Sequence, residues 1–442
     1  MDKRSTADER VKKAAAAAAR GIDSSGAPTF GFRLVASAVS VTPWITLLMF
    51  TDARARTTRP PSRSTPSPPS ASPSTAPRPA SAPATPASPQ STTSRLRGTS
   101  RHLYTELTGH RFTITADFAA AAADPSCYDA LVIPGGRFTE QLSADAAVVG
   151  LVAAFAALRR PLVLTCHSQL LLAAAGGLSA GVRCTAFFSL RPVVELAGGA
   201  WVDPEPFGLC VADGHVLSAI GWPAHAQILA KLLAAMGARV HAGRGGQRVL
   251  VLCADYVDDY EANVPFRALA GVGCHVESAC PTKRKGETVV TAIYDAAAPA
   301  PAAGATVTVS EERRSHNFVM TADWADASAD DFDCVVVPGG RAPELLVTHD
   351  KAVALVKEFA DKGKVVASIG QGHLLLAAAG LLRGKKCASG VPMRVVSRLA
   401  GAEAVEVEGA VVDCKLVTAA RWTDLAQFVA RVIDLLGISV SF

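Results

Sequence analysis

Two stretches of this chain share one frame but carry different chemistry in it. LTCHSQLLLAAAG (164–176) sets Cys166 beside His167, whereas SIGQGHLLLAAAG (368–380) has Gly370 and Gln371 in their places. A thiol next to an imidazole is a pairing from which a nucleophile is made, the thiolate attacking and the imidazole moving a proton. PLVLT runs into Cys166 and LLLAAAGG leaves it, so strand, tight turn and helix put the sulfur at the turn. A thiol there faces unpaired helix N–H groups that favour an anion. With other partners, such placement lowers a cysteine pKa from about 8.5 towards roughly 3.5–7.5. The same N–H groups can receive an oxyanion. IPGGRFTE (133–140) adds Gly135, Gly136 and Glu140 at the end of another strand. Strand ends of an open α/β sheet line one crevice, so these residues can meet.

Each of these residues also has a plainer reading. Cys166 could be a buried structural cysteine, but its position at the turn with histidine following favours the reactive one. Glu140 and Glu344, in PGGRFTE and PGGRAPE, also suit acids that open helices. Glu261 in DYEANVP is either a site carboxylate or a solvated loop acid beside Asp258 and Asp259. His225 in GWPAHAQILAKLL reads as a helix cap, and Cys184 and Cys387 as core residues.

The elements that must hold the site come from a duplication. GHRFTITADF (109–118) matches SHNFVMTADW (315–324), CYDALVIPGGR (127–137) matches DFDCVVVPGGR (331–341), and GVRC ending at Cys184 matches GKKC ending at Cys387. The second copy is complete. RVLVLC, CHVESAC, FDCVVVPGG and KVVASIG read as short buried strands. Between and after them VPFRALAGVG, HDKAVALVKEFADKG, LLLAAAGLL and LAQFVARVIDLLG read as helices, three of them closed by glycine. Strands alternating with helices at this spacing predict an α/β fold with a doubly wound parallel sheet in each copy.

The first copy lacks its opening strand-helix-strand. In its place stands a Pro/Ser-rich stretch with 11 of the 27 prolines between residues 60 and 89, too many for a helix or central strand. One reading is a disordered linker. Regrouping GC-rich codons one base out favours another. From Ala55 the shifted frame can spell EDYEAAVPLY, beside DDYEANVPFR at 258–267, and Pro83 to Ser94 can give GDTCLTAVHDF, beside GETVVTAIYDA at 286–296. Residues 55–98 then translate a shifted frame of the repeat's first βαβ. The predicted organisation is a disordered or non-native segment at 1–103, repeat one at 104–238, a linker at 239–247 and repeat two at 248–442.

Composition narrows the function classes. Residues 1–103 hold 15 Lys and Arg against 5 Asp and Glu, and the remainder 29 against 34, so the compact part is mildly acidic and offers no basic face to nucleic acid. Ten cysteines without a C-x-x-C pair argue against zinc and suit a reducing compartment. The apolar run from Leu34 to Phe50 is short, contains Pro43 and lacks a signal-peptide cleavage pattern, so no membrane span is expected. PGGR is too short, and on the wrong side of a strand, for a dinucleotide fingerprint. No metal and no cofactor are implied.

The strand-end PGGR and the elbow CHSQLLLAAAG resemble those of the ThiJ/PfpI (DJ-one) superfamily. The chain is similar to its plant tandem-domain members, the glutathione-independent glyoxalases (glyoxalase III), over about 104–442. The resemblance implies two tandem flavodoxin-like (class I glutamine amidotransferase-like) domains. It implies Cys166 as nucleophile, His167 as adjacent acid/base, Gly136 with the His167 N–H as oxyanion hole, and Glu140 as pocket carboxylate. Repeat two then holds a degenerate site, with Glu261 as the first-strand carboxylate, Glu344 as pocket residue, and Gly370 and Gln371 where the reactive pair stood. The implied substrate is a small 2-oxoaldehyde, methylglyoxal or glyoxal, converted to lactate or glycolate through a cysteine hemithioacetal. Missing its own first-strand carboxylate, repeat one would be impaired as written.

Three function classes stay open at this point. They are the glyoxalase, a Cys-dependent amidase of the same superfamily, and a non-enzymatic redox-sensing or chaperone-like protein. An intramolecular pseudo-dimer of the repeats is expected, and the resemblance adds a homo-oligomer. The expected compartment is the cytoplasm. The Arg/Ser-rich front also has the composition of a plastid transit peptide, which a shifted frame would mimic.

Overall fold

The computed structural model describes residues 124–179, 181–242, 245–294 and 312–442, with Ala121 and the short strands at 34–36, 90–93 and 105–108. The shifted-frame reading of 55–98 therefore lies outside the described residues, apart from the strand Gln90–Thr93, and the matched segment 109–118 lies outside them altogether.

Repeat two is a six-stranded sheet in the order His275–Ala279, Arg248–Leu252, Cys334–Val337, Val365–Ile369, Leu416–Ala419, Ala410–Asp413. The first five strands run parallel and the last returns antiparallel as an edge. Cys334–Val337 and Val365–Ile369 are buried along their whole length, as strands covered on both faces must be. Each fully buried Val, Leu, Ile or Phe contributes about 1.5–3 kcal/mol, which is why continuous apolar runs rather than alternating ones mark these strands.

Repeat one repeats that order with fewer strands. Ala130–Ile133, Leu162–Thr165 and Val216–Ala219 run parallel, and Cys210–Asp213 closes the edge antiparallel. On the other edge the backbone of Leu34–Ala36 lies parallel to Ala130–Val132, in the position that Arg248–Leu252 holds in repeat two. A segment assigned to the non-native front thus takes the opening strand's place. Among the described residues nothing corresponds to the following helix or to the outer strand His275–Ala279.

One helix begins earlier than its apolar pattern predicts. It spans Asp259–Gly271, because Asp258 caps it by accepting from the Tyr260 and Glu261 N–H groups at 2.9 and 3.0 Å. The acidic DDYE segment is therefore a buried cap and first turn, and Glu261 is no solvated loop acid.

Among the described residues the two repeats touch at several places, including Trp222 against His316 at 4.6 Å between ring centroids. The helix His225–Ala235 packs on Asp259–Gly271, with Leu229 joining repeat two's core, and Arg239–Ala242 pairs antiparallel with Ile438–Ser441. His225 is not the cap of its helix. Ala224 holds that position with no side-chain hydrogen bond, and the imidazole is buried. Burial, then Arg267 and His316 of repeat two, lowers its pKa to about 3.

Candidate active site

The strand Leu162–Thr165 ends and the helix Gln169–Ala174 begins with only Cys166, His167 and Ser168 between them. So tight a reversal forces Cys166 to φ +58°, a left-handed conformation that costs a non-glycine residue about 1–2 kcal/mol. The backbone is tied on both sides: the Cys166 N–H donates to the Ala219 carbonyl at 2.9 Å, and the Cys166 carbonyl accepts from Phe187 N–H at 3.1 Å. Its sulfur stands 3.2 Å from His167 Nδ1, and the residue as a whole is half-buried.

His167 is buried, its ring stacked on Phe187 at 5.2 Å between centroids. Burial lowers its pKa, Glu140 pulls it up and Arg137 pushes it down. The net shift favours the neutral imidazole, the form that can accept a proton. Glu140 itself is half-exposed and paired with Arg137 at 3.1 Å, so it bears on the site through its field on His167.

Gly135 and Gly136 approach from the end of the neighbouring strand, Ala130–Ile133. A Cβ added at Gly135 would lie 2.4 Å from Cys166 Cβ, so only glycine lets the two loops close. Among the described residues neither the Gly135 nor the Gly136 N–H has an acceptor. Two such donors beside a thiol are an arrangement that could receive an oxyanion. Thr139, which the sequence reading did not single out, is fully buried, and its hydroxyl reaches the Gly136 carbonyl at 2.8 Å and the His167 carbonyl at 3.1 Å.

Repeat two keeps the frame and closes it. Gly370 holds the elbow at φ +56°, but Glu261 Oε2 accepts from the Gly339 N–H at 2.8 Å and Gln371 Oε1 from the Gly340 N–H at 3.3 Å. Both counterparts of the open donors in repeat one are thus taken by the repeat's own side chains. Burial holds the Glu261 carboxyl well above its usual range, helped by Asp258 and opposed by the Gly339 bond. Glu344 is exposed and paired with Arg341 at 3.1 Å, like Glu140 with Arg137. His373 takes the position of Gln169 and is fully buried. A counterpart of Glu261 in repeat one would follow Leu34–Ala36, outside the described residues.

Cys184, Cys253, Cys334 and Cys387 are buried in the cores, and burial pushes their thiols up, Cys184 to about 11. They are packing residues. The sequence offered signals for the features it left unnoticed. Thr139 faces Pro343 and Phe187 faces Gly390 when the copies are aligned, so both differ between the copy that has the thiol and the copy that does not.

The DJ-1/PfpI family model matches residues 87–235 and again 247–435. DJ-1 protein homolog E of Arabidopsis thaliana is 49% identical over 77% of this chain and 85% of its own length, and DJ-1 protein homolog F of the same plant is 46% identical over the same shares. A deglycase of Thermococcus kodakarensis is 39% identical over 27% of this chain and 74% of its own length. With an elbow cysteine and a glycine-pair loop in one copy, their closed counterpart in the other, and two matches to one family along its length, the chain belongs to the DJ-1/PfpI family.

Proposed function

We propose that repeat one acts as a glutathione-independent glyoxalase on small 2-oxoaldehydes. The Cys166 thiolate adds to the aldehyde carbon, the oxyanion formed is held by the Gly136 N–H with those of its neighbours Gly135 and His167, and a proton from solvent then converts it to the hemithioacetal hydroxyl. His167 removes the proton from that carbon and the resulting enediol is reprotonated at the neighbouring carbon, which moves the oxidation level from ketone to thioester. Water then cleaves the thioester, releasing a 2-hydroxy acid and the thiol, so methylglyoxal plus water gives lactate. No outside oxidant or reductant enters.

The observation that supports this reading most is the 3.2 Å approach of Cys166 Sγ to His167 Nδ1, beside two N–H donors without acceptors among the described residues. Repeat two, with Gly370 at the elbow and both donors occupied, serves in this reading as the packing partner. The relatives named as deglycases favour a second reading, in which the same thiol releases the 2-oxoaldehyde fragment from an amine adduct.

Lactate formation from methylglyoxal without added thiol tests the first reading, with Cys166→Ser as control. Product that forms with the parent chain and not with the serine variant supports it. Release of amine from a preformed adduct, with no lactate from free methylglyoxal, would replace it with the second. Peroxide oxidation of Cys166 without either turnover would leave the redox-sensing class.

A further inference from the structure

We propose that Thr139 is a positioning residue that locks the oxyanion loop to the nucleophile elbow, an arrangement found in repeat one alone. This rests on the reading of Cys166 as the reactive thiol. Glycine is the residue least able to hold its own backbone direction, and the anion-binding loop contains two in succession. Something must fix where the Gly136 N–H points. Its carbonyl receives the Thr139 hydroxyl at 2.8 Å and the Thr139 N–H at 3.3 Å, which pins the far side of the glycine at two points.

The same hydroxyl lies 3.1 Å from the carbonyl of His167, the residue whose ring contacts the sulfur. One proton shared between these two carbonyls joins the loop that stabilises charge to the turn that creates it. The side chain is fully buried, so no water competes for that proton.

Repeat two shows the loop without the clamp. Pro343 stands where Thr139 does and carries no hydroxyl. There Gly340 adopts φ +72° rather than the +135° of Gly136, and its N–H is turned onto the Gln371 side chain. The clamp and the open donor occur together, and they are absent together.

The test uses the full chain. Thr139→Val keeps the side chain's shape and removes the hydroxyl, Thr139→Ala is a second hydroxyl-free variant should valine fail to fold, and Thr139→Ser restores the donor. The expected result is a fall of about ten- to a hundredfold in kcat for the hydroxyl-free variants, the loss that small misplacements of a site produce. KM should stay within about threefold, and serine should recover kcat to within about threefold of the parent. A kcat within about twofold of the parent in a hydroxyl-free variant, or a serine variant as impaired as valine, overturns the proposal.

Should the parent chain show no turnover, the glyoxalase reading fails and a second measurement decides this one. The rate of Cys166 alkylation by iodoacetamide, read by peptide mass from about pH 5 to 9, reports the thiolate directly. The clamp predicts a displaced profile for valine and a restored one for serine. Superimposed profiles for all three chains overturn it.

Discussion

The carboxyl group of Glu261 occupies the space that a side chain at Gly370 would need. A Cβ built on Gly370 would lie 2.9 Å from Glu261 Oε2 and 3.0 Å from Oε1. Repeat two therefore differs from repeat one by more than glycine in place of cysteine: its acid sits against the elbow. Gly370→Ala should destabilise the chain by about 1–3 kcal/mol, combining the left-handed backbone with displacement of a buried carboxyl. In a Glu261→Ala background the same substitution should cost only the backbone part, about 1–2 kcal/mol. Urea unfolding of the four chains in this cycle checks the coupling, and additive effects would show that the two groups do not compete.

The sheet was readable because its physics is local and repetitive. Runs such as VLVL and CVVV are short, rich in β-branched residues and bounded by turn residues, which marks strands buried on both faces, and two copies of one pattern exposed the order of elements. The placement of Cys166, His167 and Gly136 between a strand and a helix was readable because each turn follows directly on an apolar strand. The Asp259–Gly271 helix was placed late because DDYE has no apolar period; its start is set by the carboxylate of Asp258, a capping signal rather than a hydrophobic one. Thr139, Phe187 and the closure of repeat two by Gln371 depend on contacts between loops distant in sequence. No periodicity reports such contacts. Leu34–Ala36 belongs to the same class, since its strand identity comes from the neighbour Ala130–Val132.

Arg137 and Glu140 act on His167 with opposite signs, so removing each should move the imidazole in opposite directions. Arg137→Gln leaves the carboxylate alone and should raise the His167 pKa, carrying the acid limb of kcat/KM to higher pH where neutral imidazole is the active form. Glu140→Gln should lower it and carry the limb to lower pH. Both side chains are half-exposed, so salt should shrink both displacements. The pH–rate profiles of the two variants at low and high ionic strength check this. Displacements in one common direction would show that the pair acts through structure and not charge.

His373 should make the fold acid-sensitive. Complete burial lowers its pKa to about 4 from an ordinary value near 6.5. A depressed folded pKa means that the unfolded chain binds the proton first, so stability is full above about pH 6.5 and is lost as pH falls towards 4. The loss approaches about 3 kcal/mol at the lower end. Glu261, whose carboxyl is shifted upward, acts with the opposite sign, stabilising at low pH and losing that contribution as pH rises. Comparing the parent with His373→Gln, the residue that repeat one carries as Gln169, isolates the imidazole. The difference in urea midpoint should be nearly constant above neutrality and should move in favour of the variant below about pH 6.

Gly271 measures how tightly the repeats are joined. An added Cβ there would stand 2.7 Å from Leu229 Cδ2, 2.9 Å from its Cβ and 3.1 Å from the Ala226 carbonyl, all on the facing helix of repeat one. A flexible Leu tip can yield, but its Cβ and a backbone oxygen cannot without moving the helix. Gly271→Ala should therefore cost about 1–3 kcal/mol through overpacking. Leu229→Ala should cost about 2–5 kcal/mol by leaving a cavity in the joint core. Together they should cost less than the sum, because the new methyl enters the space the leucine leaves. Thermal unfolding followed by separate probes in each repeat adds the decisive reading: if Gly271→Ala lowers only repeat two's transition and leaves repeat one untouched, the helices are neighbours without shared stability. One transition shifting as a whole means that the two repeats unfold as a single cooperative unit.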